Sequence, residues 1–199
     1  MLTLTTLKTQ IAQSIRDSAA GRVSNDQIEA AIVRACDQLS KDAPNRISAM
    51  LTLIAGSGTY PAPDDCFVWL CSTYADHRPV VSPFASPGLG RPILSGGTFL
   101  FDPMPTDAQL ESYGDQYHYQ YGTRYQVADD DAANVPDTHA QAVFLLAMAL
   151  LMLELSSTDI IEPMALHKGL GEMQQPRTAA DMHRTLMKAY GNEVKRIND

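Results

Sequence analysis

The sequence THAQAVFLLAMALLMLELS, residues 138–156, decides the fold of this 199-residue chain. Its apolar side chains fall on nearly every face of a helix, so other elements must cover it on most sides. We therefore predict a central core helix. The residues that we predict for its core are Val143, Leu146, Leu150 and Leu153.

The apolar run within this helix, residues 142–153, is too short to suggest a membrane span. Its twelve residues make about 18 Å of helix, whereas a bilayer core needs about 30 Å. The first ten residues alternate Leu and Thr and include one Lys, which is not the pattern of a signal peptide. We therefore expect neither a membrane partner nor export by a signal peptide.

Helices are also predicted towards both ends of the chain. Apolar residues three and four positions apart indicate a first helix over about residues 5–19. Ser24 and Gln27 have the spacing of a capping box and begin a second helix. A short helical stretch is predicted near Pro163, and a last helix with an apolar stripe over about residues 178–196.

Between these helices the pattern changes to that of strands. Residues 47–54, 66–74 and 98–101 are rich in β-branched, aliphatic and aromatic residues, and the first two could pair as a hairpin or meander. A tyrosine-rich strand follows over about residues 117–127. Residues 79–97 contain four prolines and four glycines, which predicts a long irregular loop.

Together these elements predict a mainly α fold with a β-rich insertion, in the α+β class. Residues 1–44 and 136–199 form a bundle of about four helices, and residues 45–135 form the β-rich insertion with a small antiparallel sheet. The chain is long enough to bury a core as one domain that carries such an insertion.

The charge and the cysteines limit the classes of function that the chain could have. The formal net charge of −8, from 23 acidic and 15 basic residues, argues against a surface that grips nucleic-acid phosphates. An acidic wall suits DNA that must slide past without adhering. The three cysteines, Cys36, Cys66 and Cys71, show no disulfide framework, which favours a reducing compartment. We interpret Cys66 and Cys71 as small buried apolar groups.

No combination of residues indicates catalysis. The five histidines are scattered, without the spacing of four that grips zinc on one helix face. The sequence has no nucleophile elbow, phosphate-binding loop or dinucleotide motif. We predict that the chain is not an enzyme and has no catalytic, cofactor-binding or metal-binding residue. A pocket holding Ser72, Asp76 and His77 would favour a small hydrolytic enzyme instead.

Two clusters have alternative interpretations. The acidic triplet at residues 129–131 could recruit calcium, but it lacks the spaced ligands of an EF-hand loop, which favours a solvated loop. The tyrosines between residues 113 and 125 could stack on nucleic-acid bases. Arg124 is the only basic residue among them, which favours sheet packing or a subunit contact.

The order of the elements along the chain is the remaining evidence. Two N-terminal helices are followed by the turn YPAPDD at residues 60–65, GTFLFDPMP at residues 97–105, a tyrosine-rich strand, Val-Pro-Asp at residues 135–137 and an apolar helix. Over nearly the whole chain, this order and spacing resembles the head-to-tail connector, or adaptor, proteins of tailed bacteriophages.

The resemblance implies a structural virion protein that forms a ring of about 12 copies between portal and tail. DNA would pass through the lumen without specific binding. The partners would be the portal ring, tail or nozzle proteins and other copies of the chain. Such a protein is made in the host cytoplasm and resides at the head–tail interface of the virion.

The same analogy assigns contacts. The last helix would dock on the portal through Tyr190, Val194 and Ile197, with ordinary packing inside the subunit as the alternative. Residues 79–97 would contact a neighbouring subunit or the tail. A tail terminator or tail-tube protein is another candidate, although it would be richer in strands and would not need two N-terminal helices.

Overall fold

The fold is known from a computed structural model that describes residues 3–15, 23–74, 89–129, 133–157 and 178–199. About 51% of these residues are helical and about 20% lie in strands, which confirms the predicted α+β class. The chain divides into two compact units. The helical unit comprises Met1–Pro44 and Tyr125–Asp199, and the β-rich unit comprises Asn45–Arg124.

Five α-helices and six strands lie in the described residues. The helices are α1 Leu4–Ile15, α2 Asn25–Asp42, α3 Asp107–Tyr113, α4 Ala140–Ser157 and α5 Ala179–Asn198. The strands are β1 Asn45–Thr52, β2 Thr59–Pro61, β3 Val68–Ser72, β4 Ile93–Ser95, β5 Thr98–Leu100 and β6 Gln116–Thr123. The predicted helical stretch near Pro163 lies outside the described residues.

The capping box predicted at the start of α2 is confirmed. The Gln27 backbone N–H donates to the Ser24 hydroxyl at 3.2 Å, and the Ser24 N–H donates to the Gln27 side chain at 2.8 Å. These bonds satisfy two N–H groups that have no partner within the helix, so they set its first turn.

The core of the helical unit is α4, which packs against both α2 and α5. Val143 and Leu146 are buried as predicted, and Leu150 is partly buried. The prediction for Leu153 is wrong, because its side chain is 48% exposed. A helix that is apolar all round carries no periodic signal, so its sequence cannot show which face the neighbouring helices leave uncovered.

The stretch Asp137–Ser157 is, among the described residues, the one helix long and apolar enough to cross a membrane. The core helix of a globular unit meets the same criteria of length and composition, so this is weak evidence for a membrane. Its burial by α2 and α5 accounts for its composition without a lipid partner.

The β-rich insertion ends earlier than predicted, at Arg124 instead of residue 135. Tyr125 belongs to the helical unit, where its backbone N–H donates to the Ser40 hydroxyl at 2.8 Å. Val135 is fully buried in the core of the same unit. A local sequence pattern cannot show these contacts, because the residues that make them are far apart in the chain. The pattern therefore predicted that the strand continues over residues 125–127.

In the described part of the β-rich unit, the strands form two antiparallel three-stranded sheets. Their orders are β1-β6-β3 and β2-β5-β4. The predicted hairpin or meander of residues 47–54 with residues 66–74 is wrong, because β6 lies between β1 and β3. Alternating burial predicts a strand but does not select its partner.

Three elements of this unit were not predicted: β2, β4 and α3. Strand β4 lies within the expected irregular loop of residues 79–97 and forms a tight hairpin with β5. Gly96 and Gly97 make the turn with positive φ values of 55° and 74°, which glycine adopts without strain. The rest of that loop described by the structure, residues 89–92, is irregular as expected.

Candidate assembly surfaces

Three of the histidines lie in the described residues, and two of them have structural partners. Nδ1 of His139 lies 2.8 Å from the Tyr125 hydroxyl, and burial together with Arg196 lowers the pKa of His139. Nδ1 of His183 lies 2.9 Å from the Ala149 carbonyl oxygen. Within the described ranges, no group of three or more His, Cys, Asp or Glu side chains could hold a metal ion.

The pocket that would favour a hydrolytic enzyme is only partly within the described residues. The Ser72 hydroxyl donates to the His118 carbonyl oxygen at 2.8 Å, which is a structural bond within the sheet. Asp76 and His77 lie outside the described residues, so their relation to Ser72 stays a prediction.

The first residue of the acidic triplet caps a helix. The Asp129 carboxylate accepts the Thr5 backbone N–H at 2.8 Å and the Thr5 hydroxyl at 2.7 Å. These two hydrogen bonds, the backbone one first, hold the pKa of Asp129 below its usual range. The carboxylate therefore stabilises the N-terminus of α1, as expected for an anion at that end of a helix. Asp130 and Asp131 lie outside the described residues.

This contact predicts a pH dependence of stability. The lowered pKa means that the folded state binds the Asp129 proton more weakly than the unfolded chain, whose carboxyl has an ordinary pKa near 3.8. The stabilisation is therefore present above that pH and is lost as the pH falls towards the folded-state pKa. Thermal unfolding of Asp129→Asn between about pH 3 and pH 6 should be less pH-dependent than that of the parent chain. Equal pH profiles would contradict the cap.

The three tyrosines of β6 pack the inside of the β-rich unit, which confirms the preferred interpretation of sheet packing for these residues. Tyr117, Tyr119 and Tyr121 of β6 are all buried. The Tyr119 ring lies 5.3 Å from that of Phe99, and the Tyr117 ring lies 5.1 Å from that of Phe101, both edge to face. Burial raises the pKa of the Tyr117 phenol. These rings fill a core and are not available for stacking on bases.

The cysteines do not all behave as predicted. Cys36 is buried, and burial together with Asp37 raises the pKa of its thiol to about 12. Cys66 is half-buried, but the prediction that Cys71 is buried is wrong, since it is exposed. A bulge between Trp69 and Cys71 places Cys71 opposite the outward-facing Gln120, a break in alternation that spacing alone does not reveal.

The apolar stripe of α5 faces the subunit's own core. Tyr190 is 4% exposed, and its hydroxyl donates to the Asp42 carboxylate at 2.7 Å. Burial, followed by this hydrogen bond, raises the pKa of Tyr190. Val194 and Ile197 are partly buried against the same core. The prediction of Tyr190 as a portal contact is therefore wrong, and the alternative of internal packing accounts for the stripe.

The opposite side of α5, which we call the outer α5 face, is basic. It consists of Arg184, Met187, Lys188 and Lys195, all exposed. Arg184 lies 3.4 Å from Asp181, whereas Lys188 and Lys195 have no carboxylate partner among the described residues. The spacing of four and seven residues places these cations along one line of the helix. The same spacing in the sequence could have indicated this face.

The described residues also form a polar cleft and a partly apolar groove. A polar cleft of about 540 Å³ lies beside α1 and is lined by Thr5, Thr9 and Gln13; its only ammonium group, on Lys8, is paired with Glu29 at 2.7 Å. A groove of about 390 Å³, the β3–β4 groove, is lined by Phe67, Val68 and Trp69 on one side and by residues 91–94 on the other.

The β3–β4 groove combines apolar surface with a cation. The Arg91 guanidinium lies 5.4 Å from the centre of the Trp69 ring and donates to the Trp69 carbonyl oxygen at 3.5 Å. Ile93 is 63% exposed at the rim. Guanidinium groups stack on aromatic rings and leave their edges free for carboxylates. The groove is therefore suited to an extended, acidic segment.

Comparison with known proteins adds no assignment. No protein family matches the chain, and no curated protein sequence matches it.

Proposed function

We propose that this chain is a head-to-tail adaptor of a tailed bacteriophage, a structural virion protein that forms a ring of about 12 copies between portal and tail. The observation that carries the proposal is the architecture: a compact β-rich unit, Asn45–Arg124, is inserted between α2 and α4 of a helical unit. This is the arrangement expected from the resemblance in element order. The protein is made in the host cytoplasm and acts at the head–tail interface.

The balance of secondary structure favours an adaptor over a tail terminator or tube protein. Helices outweigh strands by more than two to one in the described residues, whereas a tube protein needs mainly strands to line its channel. An enzyme is disfavoured because the Ser72 hydroxyl and the rings of His139 and His183 have structural partners.

The charge of the chain supports a DNA-conducting role. With a net charge of −8, a ring of identical copies multiplies the negative field around its axis. Such a lumen repels phosphates and lets DNA pass during packaging and ejection without specific binding. Neither a cofactor nor a metal is required for this function.

The portal contact is better assigned to the outer α5 face than to the buried stripe. Lys188 and Lys195 are exposed and have no carboxylate partner in the described part of the chain, and exposed cations steer association with an acidic partner surface. Met187, which precedes Lys188 and is 37% exposed, adds apolar area. The tail or nozzle proteins would then bind elsewhere on the ring.

Co-sedimentation with purified portal rings tests the proposal. The full chain should bind the rings, and the double variant Lys188→Glu with Lys195→Glu should raise the apparent Kd about ten- to a hundredfold. Lys41→Glu, the same type of substitution at an exposed position of α2, serves as the control for each single lysine and should leave binding unchanged. Truncation before Thr178 is unsuitable, because it removes the buried residues Met182 and Leu186 from the core.

The possible outcomes distinguish the adaptor function from the assignment of the outer α5 face as the portal contact. No binding of the parent chain well above about 1 µM would overturn the adaptor role. Binding that the double variant does not weaken would keep the role and reject the outer α5 face. Electron microscopy of the bound material counts the copies in the ring.

A further inference from the structure

The β-rich unit exposes two opposite edges of one sheet. In the order β2-β5-β4, β2 and β4 each have one neighbour, so each presents an unpaired side in the described residues. We propose that these edges join in neighbouring copies of the chain: the β2 edge of one copy enters the β3–β4 groove of the next. This inference rests on the proposed function and names the contact that builds the ring.

The hydrogen-bond pattern identifies the backbone groups that face outward. The Phe101 N–H donates to Gly58 O at 2.8 Å and the Ala62 N–H donates to Gly97 O at 3.0 Å. Because antiparallel ladders alternate, the N–H and C=O of Thr59 point away from β5. By the same alternation, the N–H and C=O of Leu94 in β4 point away from β5, and Leu94 lines the groove.

A strand joined at Thr59 and Leu94 therefore forms one reciprocal pair of backbone hydrogen bonds. Continuing the antiparallel register sets Pro61 opposite Pro92. Neither proline has an N–H, so no donor is left buried without an acceptor at the next bonded position. The prolines also limit pairing to a short segment, which protects both edges from less specific aggregation.

Charge complementarity selects a second copy as the occupant. In this register Arg91 lies opposite Ala62, and Asp64 follows two residues later on an exposed turn. Among the described residues, Asp64 has no partner, and the Arg91 guanidinium makes one hydrogen bond, at 3.5 Å to Trp69 O. A carboxylate from the neighbouring copy would give Arg91 a charge-assisted hydrogen bond, which no described residue of its own subunit provides.

Such a contact is heterologous, since the two edges are different surfaces of the chain. A heterologous contact repeated from copy to copy generates a closed ring when its rotation closes. Extended segments that add to a sheet edge are a common mode of protein recognition, in which the backbone supplies affinity and side-chain pockets supply specificity. The Ile93 side chain at the rim would be covered in the assembly.

Trp69 reports on the groove directly, because it is the one tryptophan of the chain. Sedimentation velocity from about 1 to about 100 µM, with and without portal rings, measures self-association. Under the conditions where the chain assembles, acrylamide quenching of Trp69 fluorescence should fall several-fold. Asp64→Arg and Arg91→Glu should each weaken self-association about tenfold. The double variant should restore it to within about threefold of the parent chain.

Glu111→Arg is the matched control, since it changes an exposed acid on α3 by the same charge and should assemble normally. Assembly with unchanged Trp69 quenching, or a double variant no better than the single ones, would overturn this contact while portal binding stands. Protection of Trp69 only when a tail protein is added would assign the groove to that protein. If the chain does not self-associate, even on portal rings, the proposed contact is overturned. If it also fails to bind portal rings, the proposed function is overturned too.

Discussion

Replacing Leu146 with aspartate should unfold the helical unit, lowering the free energy of unfolding by more than about 4 kcal/mol. Leu146 is 2% exposed in the middle of α4, where α2 and α5 cover the helix. A carboxylate placed there is either buried without a partner or protonated at a cost, and the leucine contacts are lost as well. Urea unfolding followed by far-ultraviolet circular dichroism measures the loss.

Leu153→Asp is the matched control, because it makes the same substitution on the same helix. Leu153 is 48% exposed, so its aspartate stays hydrated and should cost less than about 1 kcal/mol. A folded Leu146→Asp protein of parental stability would disprove the core assignment of α4. Equal losses from both substitutions would instead mean that the exposed side of α4 is covered.

Phe99→Ala should remove about 3–5 kcal/mol from the stability of the β-rich unit. Phe99 is 1% exposed at the centre of the sheet β2-β5-β4, and its ring contacts that of Tyr119 edge to face. Truncation leaves a cavity that the surrounding aromatic rings cannot fill without moving. Trp69 lies in the same unit, so its fluorescence during urea unfolding reports the loss where it occurs.

Ile93→Ala provides the comparison for this unit. Ile93 is on the neighbouring strand but 63% exposed in the subunit, so its truncation should change the stability of the monomer by less than about 0.5 kcal/mol. A Phe99→Ala protein within about 1 kcal/mol of the parent would show that the aromatic rings do not form a tightly packed core.

The elements with a strong local signal were predictable from sequence. The period of apolar residues and the capping box identified α1 and α2, and the alternation of tyrosines identified β6. The apolar composition of α4 predicted a core helix, and three of its four named core residues are buried or partly buried. These signals act over a few residues, so a single segment carries them.

The predictions that were wrong concern which residues of the same chain a helix or strand packs against. The α5 stripe correctly indicated a helix, but the structure shows that Tyr190 meets Asp42 of the same subunit. Strand β4 was missed because prolines and glycines around it suggested a loop, while its strand character comes from pairing with β5. The exposure of Leu153 depends likewise on which face its neighbours cover.

The sequence by itself determined the class of the fold, the position of the main helices, the order of a helical and a β-rich region, and the acidic character of the chain. These properties follow from local backbone preference, side-chain period and composition. Only the tertiary structure decided the sheet orders, the end of the insertion at Arg124, and the exposed surfaces: the outer α5 face and the β3–β4 groove. Those features depend on contacts between residues far apart in the chain, and an apolar stripe or alternating strand pairs equally well with many partners until the folded chain brings one of them against it.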